Sequence, residues 1–223
     1  MSAFCAQHVA SYVAAAYERE GDGDVQKALA SGIRAMETAM LRELHSKCET
    51  VGTTALVAVL SDATRSVTIA NIGDSRAVCS DGTRLTTDHN FESSPSERAR
   101  VEGLGGVLEG RSTFQSLCVS RSLGDLCAKP HICSEPDVAT HAMGPGRLLV
   151  LATDGLWSVM SDRAAGDFVV REMRHKRAAA AAGNCTPRPL CGEVAQCVAM
   201  NAWRELGSQD NIAVVVVAPT AAC

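Results

Sequence analysis

Two aspartates stand at the tips of two of the most apolar segments in the chain. Residues 147–154 read RLLVLATD and residues 209–217 read QDNIAVVVV, so Asp154 closes one apolar run and Asp210 opens another. Neither has a Lys or Arg beside it in the sequence. Asp154-Gly155 is a common turn dipeptide, and two independent turn or cap aspartates are one reading of the pair. If the two runs are neighbouring antiparallel strands, the end of one meets the start of the other and the carboxylates converge. Ionised carboxylates side by side repel unless a cation sits between them. Hard divalent cations such as Mg²⁺ and Mn²⁺ take oxygen ligands of this kind. The spacing alone leaves both readings standing, and the second predicts a metal site.

The elements that must position these residues follow from periodicity. Apolar residues recur every three or four positions at Cys5, Val9, Val13 and Ala16, and again from Val25 to Leu44, which predicts two helices. The GDGD stretch at 21–24 separates them, with Asp24 as N-cap. TALVAVL (54–60), SVTIANI (66–72) and SRAVCS (75–80) are short, β-branched and bounded by turn residues, as strands are. The first two are apolar at nearly every position, which predicts burial on both faces, and the runs ending at Asp154 and starting at Asp210 read as central strands for the same reason. Short connections at Ser61-Asp62 and Gly73-Asp74 predict antiparallel hairpins. Ser94, Pro95 and Glu97 form the signature of a capping box, and short strands are expected around GVLEG and FQSLCVS. Two further helices follow Ser161 and span the stripe Leu190, Val194, Val198, Ala202 and Leu206. The basic residues 174–177 are read as complementing the negative end of a helix.

With 223 residues, 46% of them hydrophobic, the chain can bury a substantial core, and a single domain is expected. A net charge of −4 gives no electrostatic reason to expect nucleic acid or an anionic membrane as partner. Ten cysteines are scattered without a C-x-x-C pair, which predicts reduced thiols in an intracellular protein and leaves Cys185, Cys191 and Cys197 as the only evenly spaced set. No run approaches the length of a membrane span, and the N-terminal stretch has no basic lead, so a soluble, cytoplasmic or nuclear monomer is expected.

Seven stretches then come in the order of one known family: GTTA (52–55), NIGDSRAV (71–78), LTTDH (85–89), ERARVEGLGGVL (97–108), VSRSLGD (119–125), ATDGLW (152–157) and QDNIAVVVV (209–217). On these motifs the chain resembles the metal-dependent, type 2C serine/threonine protein phosphatases. The resemblance implies an α+β fold in four layers, two antiparallel sheets face to face with helices outside. It implies hydrolysis of phosphoserine or phosphothreonine in a phosphoprotein substrate by water activated at a dinuclear Mg²⁺ or Mn²⁺ centre. By motif, Asp154 and Asp210 would bind one ion, and Asp74 of the GDSR motif is associated with a third, weaker metal position.

The family's phosphate-gripping arginine, its Glu-Asp pair and its D-G-H-G-G strand, with a metal-bridging aspartate and a general-acid histidine, are not in the sequence. No catalytic residue of the family is therefore identified. Residues 2–17 resemble the helix that follows D-G-H-G-G, so the expectation is a phosphatase domain over 1–223 that is incomplete at its N-terminus. Ser158 stands where the family commonly has a second aspartate, and a neutral hydroxyl weakens any site built on Asp74. Two carboxylates supply a small part of the six oxygens Mg²⁺ requires, which predicts weak metal binding and weak activity. A fragment, a catalytically inactive pseudophosphatase serving as scaffold or regulator, and completion by another polypeptide all remain open.

Overall fold

Asp24 starts the second helix as its position predicts: its backbone is extended and its carboxylate accepts a hydrogen bond from the Lys27 N–H at 3.1 Å. The computed structural model describes residues 1–21, 23–110, 113–181 and 190–219. The chain falls into two compact units. The first comprises Met1–Val59, Val67–Asp74 and Thr87–Thr140, and the second Leu60–Ser66, Ser75–Thr86 and His141–Cys223.

In the first unit, helices α1 (Ser2–Glu20) and α2 (Val25–Leu44) form a hairpin. The α2 stripe of Leu29, Ile33, Met36 and Met40 is buried, each side chain contributing about 1.5–3 kcal/mol. It packs with Ala70, Ile72 and Leu123 and with half-buried Ala55, Val57 and Val59. Those residues come mostly from a sheet of β2 (Ala55–Ser61), β3 (Ser66–Ile72) and β6 (Asp137–Ala142), with β3 in the middle. The short β1 (Gly52–Thr53) pairs antiparallel with β5 (Leu123–Gly124).

The burial expected for β3 is observed, whereas β2 lies at the edge of its sheet among the described residues and is only half-buried. The predicted hairpin at Gly73-Asp74 is not formed. β3 belongs to one sheet and β4 (Arg76–Cys79) to another, so this short turn carries the chain out of the first sheet. The strand β6 was not expected from sequence, because DVATHA has neither an apolar run nor a clean alternation. Among the described residues GVLEG and FQSLCVS make only isolated bridges, Glu109 to Thr113, Phe114 to Leu117 and Asn90 to Val119.

Helix α3 (Pro95–Gly103) begins after Ser94, but the capping box is not made. Glu97 is drawn away by stronger partners: it accepts from Arg121 at 2.8 Å and from Arg100 at 2.9 Å. Burial pushes its carboxyl up, yet the bonds from Arg121 and then Arg100 outweigh this and hold it down at about 2. Its folded value lies below the unfolded one, so this stabilisation is present above pH 4.5 and is lost as pH falls towards 2. It amounts to roughly 3 kcal/mol for a group this buried. Urea denaturation at pH 6 and pH 3 is expected to show somewhat more than half of that loss in the wild type and a distinctly smaller fall in Glu97→Gln.

In the second unit, β4, β7 (Leu149–Ala152) and β8 (Val214–Val217) form an antiparallel sheet with β7 central. Helices α5 (Asp162–Ala181) and α6 (Leu190–Arg204) bury Ala165, Val169, Met173, Val194, Val198 and Ala202 in one core with Val150, Ala152 and Val216. The expectation that both apolar runs are central strands holds for β7, all of whose residues are buried. It fails for β8, an edge strand among the described residues with Val215 56% exposed. A four-valine run is thus satisfied by burying one face. The α+β class is the one expected, each unit pairing helices with a sheet. Among the described residues no helix is long and apolar enough to cross a membrane.

Candidate active site

The carboxylates predicted to meet lie on adjoining segments of the second unit. β7 and β8 pair antiparallel with Ala152 opposite Val214. Past that pair, Thr153 continues the contact: its N–H bonds the Ala213 carbonyl at 3.1 Å. Its hydroxyl donates to the Asn211 carbonyl and accepts from the Ala213 N–H, both at 3.1 Å. Asp154 follows as the first residue of the short helix α4 (Asp154–Trp157), and Asp210 immediately precedes the Asn211 that Thr153 holds. The Asp210 carboxylate accepts from the Asn211 N–H at 2.6 Å.

Gly155 explains why the dipeptide is Asp-Gly without a left-handed turn. It is helical, and a Cβ on it would stand 2.5 Å from the Asn211 carbonyl oxygen. Only hydrogen fits where the β8 lead-in crosses α4. Ser208, buried, donates to the Gly155 carbonyl at 2.7 Å and closes the same junction. Gly155→Ala should therefore push the 208–213 segment away from Asp154 at a cost of about 1–3 kcal/mol. A thermal-unfolding midpoint unchanged from wild type would show that this junction gives way easily.

Behind α4, the Trp157 indole N–H bonds the Ala152 carbonyl at 2.9 Å and the Arg76 guanidinium lies over the ring at 5.1 Å. Asp162, at the start of α5, pairs with Arg76 at 2.6 Å and Arg84 at 2.7 Å. Burial raises its carboxyl, but hydrogen bonds from Arg84 and Arg76 hold it below the usual carboxylate range. Ser158, whose N–H bonds the Asp154 carbonyl at 2.8 Å, offers a neutral hydroxyl.

Asp74 belongs to the first unit, in the turn after β3. That turn is held by residues to which sequence assigned no role. His89 Nδ1 accepts from the Gly73 N–H at 3.2 Å, and the Asn71 amide donates to the carbonyls of Gly73 and Thr87. Gly73 has φ 97 and no room for a side chain, a Cβ meeting Thr54 Cγ2 at 2.3 Å. His89 Nε2 in turn faces Asp137 at 2.9 Å. The bond from His89 and that from Arg121 hold the Asp137 carboxyl down at about 2 despite burial. The motif LTTDH contained His89; its function as a brace had no signature in spacing.

The donor set is two carboxylates, hard oxygens suited to Mg²⁺ or Mn²⁺. Among the described residues no three His, Cys, Asp or Glu side chains cluster as a metal site. Asp154 and Asp210 fit part of a coordination shell and leave most of it to other donors. Cys191 and Cys197 are free thiols on α6, and Cys185 lies outside the described residues.

A family model described as Protein phosphatase 2C matches residues 1–201. Among curated relatives, Probable protein phosphatase 2C 68 of Oryza sativa subsp. japonica is 37% identical over 194 residues, covering 84% of this chain and 50% of the relative. Protein phosphatase 2C 77 of Arabidopsis thaliana is 35% identical over 217 residues, covering 88% of this chain and 50% of the relative. The chain thus spans about half the length of these relatives. Two solved structures share the fold. A C. elegans sex determining protein has a TM-score of 0.80 at 23% identity, covering 96% of this chain and 52% of that one. Serine-threonine phosphatase 2C from Toxoplasma gondii has a TM-score of 0.65 at 21% identity, covering 86% of this chain and 66% of that one.

Proposed function

Because the chain belongs to the protein phosphatase 2C family, we propose that it contributes to metal-dependent hydrolysis of phosphoserine or phosphothreonine in proteins. The observation that carries the reading is the Thr153 clamp, which ties the segment bearing Asp210 to the start of α4 at Asp154. The two aspartates are the residues that would hold Mg²⁺ or Mn²⁺. A bound ion supplies a water acidic enough to act as nucleophile near neutral pH and offsets charge on the phosphoryl oxygens. The chain's own part is positional. Thr153 and Ser208 fix the spacing of the two segments, Gly155 permits their close approach, and Trp157 anchors α4 to β7. Asp74 is assigned a weaker, auxiliary metal role.

A second reading, a catalytically inactive module of the same fold that binds phosphoproteins or regulators, is favoured by the two-carboxylate donor set. One experiment separates them. Phosphate release from a phosphothreonine peptide is measured with Mn²⁺, with Mg²⁺ and with excess chelator. Turnover that requires the metal supports the phosphatase reading. No release at any metal concentration, from protein that is folded by circular dichroism, favours the inactive module.

A further inference from the structure

The basic stretch Arg174, His175, Lys176 and Arg177 does not complement the end of its helix as the sequence predicts: α5 continues to Ala181 and these residues are not in its last turn. Lys176 is used locally, pairing with Glu193 of α6 at 3.0 Å. Arg177 instead lines a cleft of about 360 Å³ within the second unit, together with Arg65, Arg147, Ser61 and Ser66. Leu148, just before β7, also lines it, whereas Asp154 follows the far end of that strand. Four strand residues put roughly 13 Å between the two places. The cleft is therefore a separate site.

Its charges are unevenly met. Arg147 pairs with Asp81 at 2.7 Å, while its buried Nε has no hydrogen-bond partner among the described residues. Arg65 and Arg177 make no side-chain hydrogen bond or ion pair with another described residue. Arg65 sits in the left-handed region at φ 48, and its carbonyl, accepting from the Met143 N–H at 2.7 Å, pins the turn that presents it. Asp62 is the single carboxylate among the described lining residues. Guanidinium forks match the oxygens of a tetrahedral oxyanion, and two hydroxyls stand beside them. A dianion would neutralise the two arginines that have no charge partner among the described residues, and the cleft has room for such a group.

We propose that the Arg65–Arg147–Arg177 cleft binds a phosphate group, carried on a phosphorylated protein side chain or free in solution. The proposal does not rest on the catalytic reading, and its test is run in chelator, where metal-dependent binding near Asp154 is silent. A fluorescent phosphothreonine peptide and its unphosphorylated twin are titrated by anisotropy, and inorganic phosphate is followed by ³¹P line broadening. The expected result is binding of a phosphate-bearing probe that weakens at least tenfold in Arg65→Ala/Arg177→Ala, is unchanged in Asp154→Asn, and falls steeply with salt. Preference for the phosphopeptide over inorganic phosphate assigns the cleft to phosphoproteins, and equal binding assigns it to the free ion. Both arginines are exposed, so the double variant should keep the wild-type unfolding midpoint. Equal affinity of the double variant, equal binding of the unphosphorylated twin, or no binding of either phosphate probe overturns the proposal.

Discussion

Asp154→Ala is expected to lower the Mn²⁺-dependent hydrolysis of a phosphothreonine peptide at least about a hundredfold, equivalent to some 2.7 kcal/mol of lost transition-state stabilisation. The size follows from the donor count. Where two carboxylates are the protein's identified contribution to an ion, removing one halves the charge that holds it, and the activated water goes with the ion. Asp154 is the first residue of a four-residue helix, and Thr153, Gly155 and Ser208 make the hydrogen bonds and contacts that define the junction. The unfolding midpoint of the variant, measured alongside, separates loss of the ion from loss of the fold. Comparing kcat/KM at saturating Mn²⁺ for wild type and variant checks this. Turnover equal to wild type would remove Asp154 from the chemistry.

Arg121→Ala is expected to destabilise the first unit by about 3–5 kcal/mol, the range for breaking a buried pair by deleting one partner. Glu97 is only 4% exposed, and Arg121 is its closest cationic partner at 2.8 Å. The same guanidinium also reaches the Asp137 carboxylate at 2.7 Å and the Glu135 carbonyl at 2.9 Å. Alanine leaves Glu97 with Arg100 as its remaining cationic partner among the described residues and removes one of the two bonds that hold Asp137, the acceptor facing His89. The thermal midpoint should fall by roughly 10 °C in a chain of this size. Arg121→Lys should recover less than half of that loss, because an ammonium cannot span Glu97 and Asp137 as a fork does. A midpoint within a degree of wild type in Arg121→Ala would mean that the network contributes nothing to folding.

The parts of this molecule that were legible in sequence are those whose period or local chemistry is strong. The α2 stripe from Leu29 to Met40, the Asp24 cap and the buried strands β3 and β7 could be read directly. The adjacency of the segments bearing Asp154 and Asp210 was legible only as a condition, because spacing left two independent turn aspartates equally open; the antiparallel pairing of β7 and β8 meets that condition. What failed was decided by partners remote in sequence. Glu97 abandoned its capping box for Arg121, 24 residues away. β8 took an edge position that its four valines disguise, and β6 forms from DVATHA through backbone pairing with little apolar signal. Thr153, Ser208 and His89 were invisible as braces, since their roles exist only once two segments touch.

The central claim is that Asp154 and Asp210 bind one divalent ion between them. Mn²⁺ titration followed by electron paramagnetic resonance, on wild type, Asp154→Asn, Asp210→Asn and the double variant, tests it most directly. A shared ion predicts that either single substitution abolishes the same bound Mn²⁺ and that the double variant loses nothing more. Retention of the ion at wild-type affinity in either single variant, or losses that add because each carboxylate holds its own ion, would contradict it.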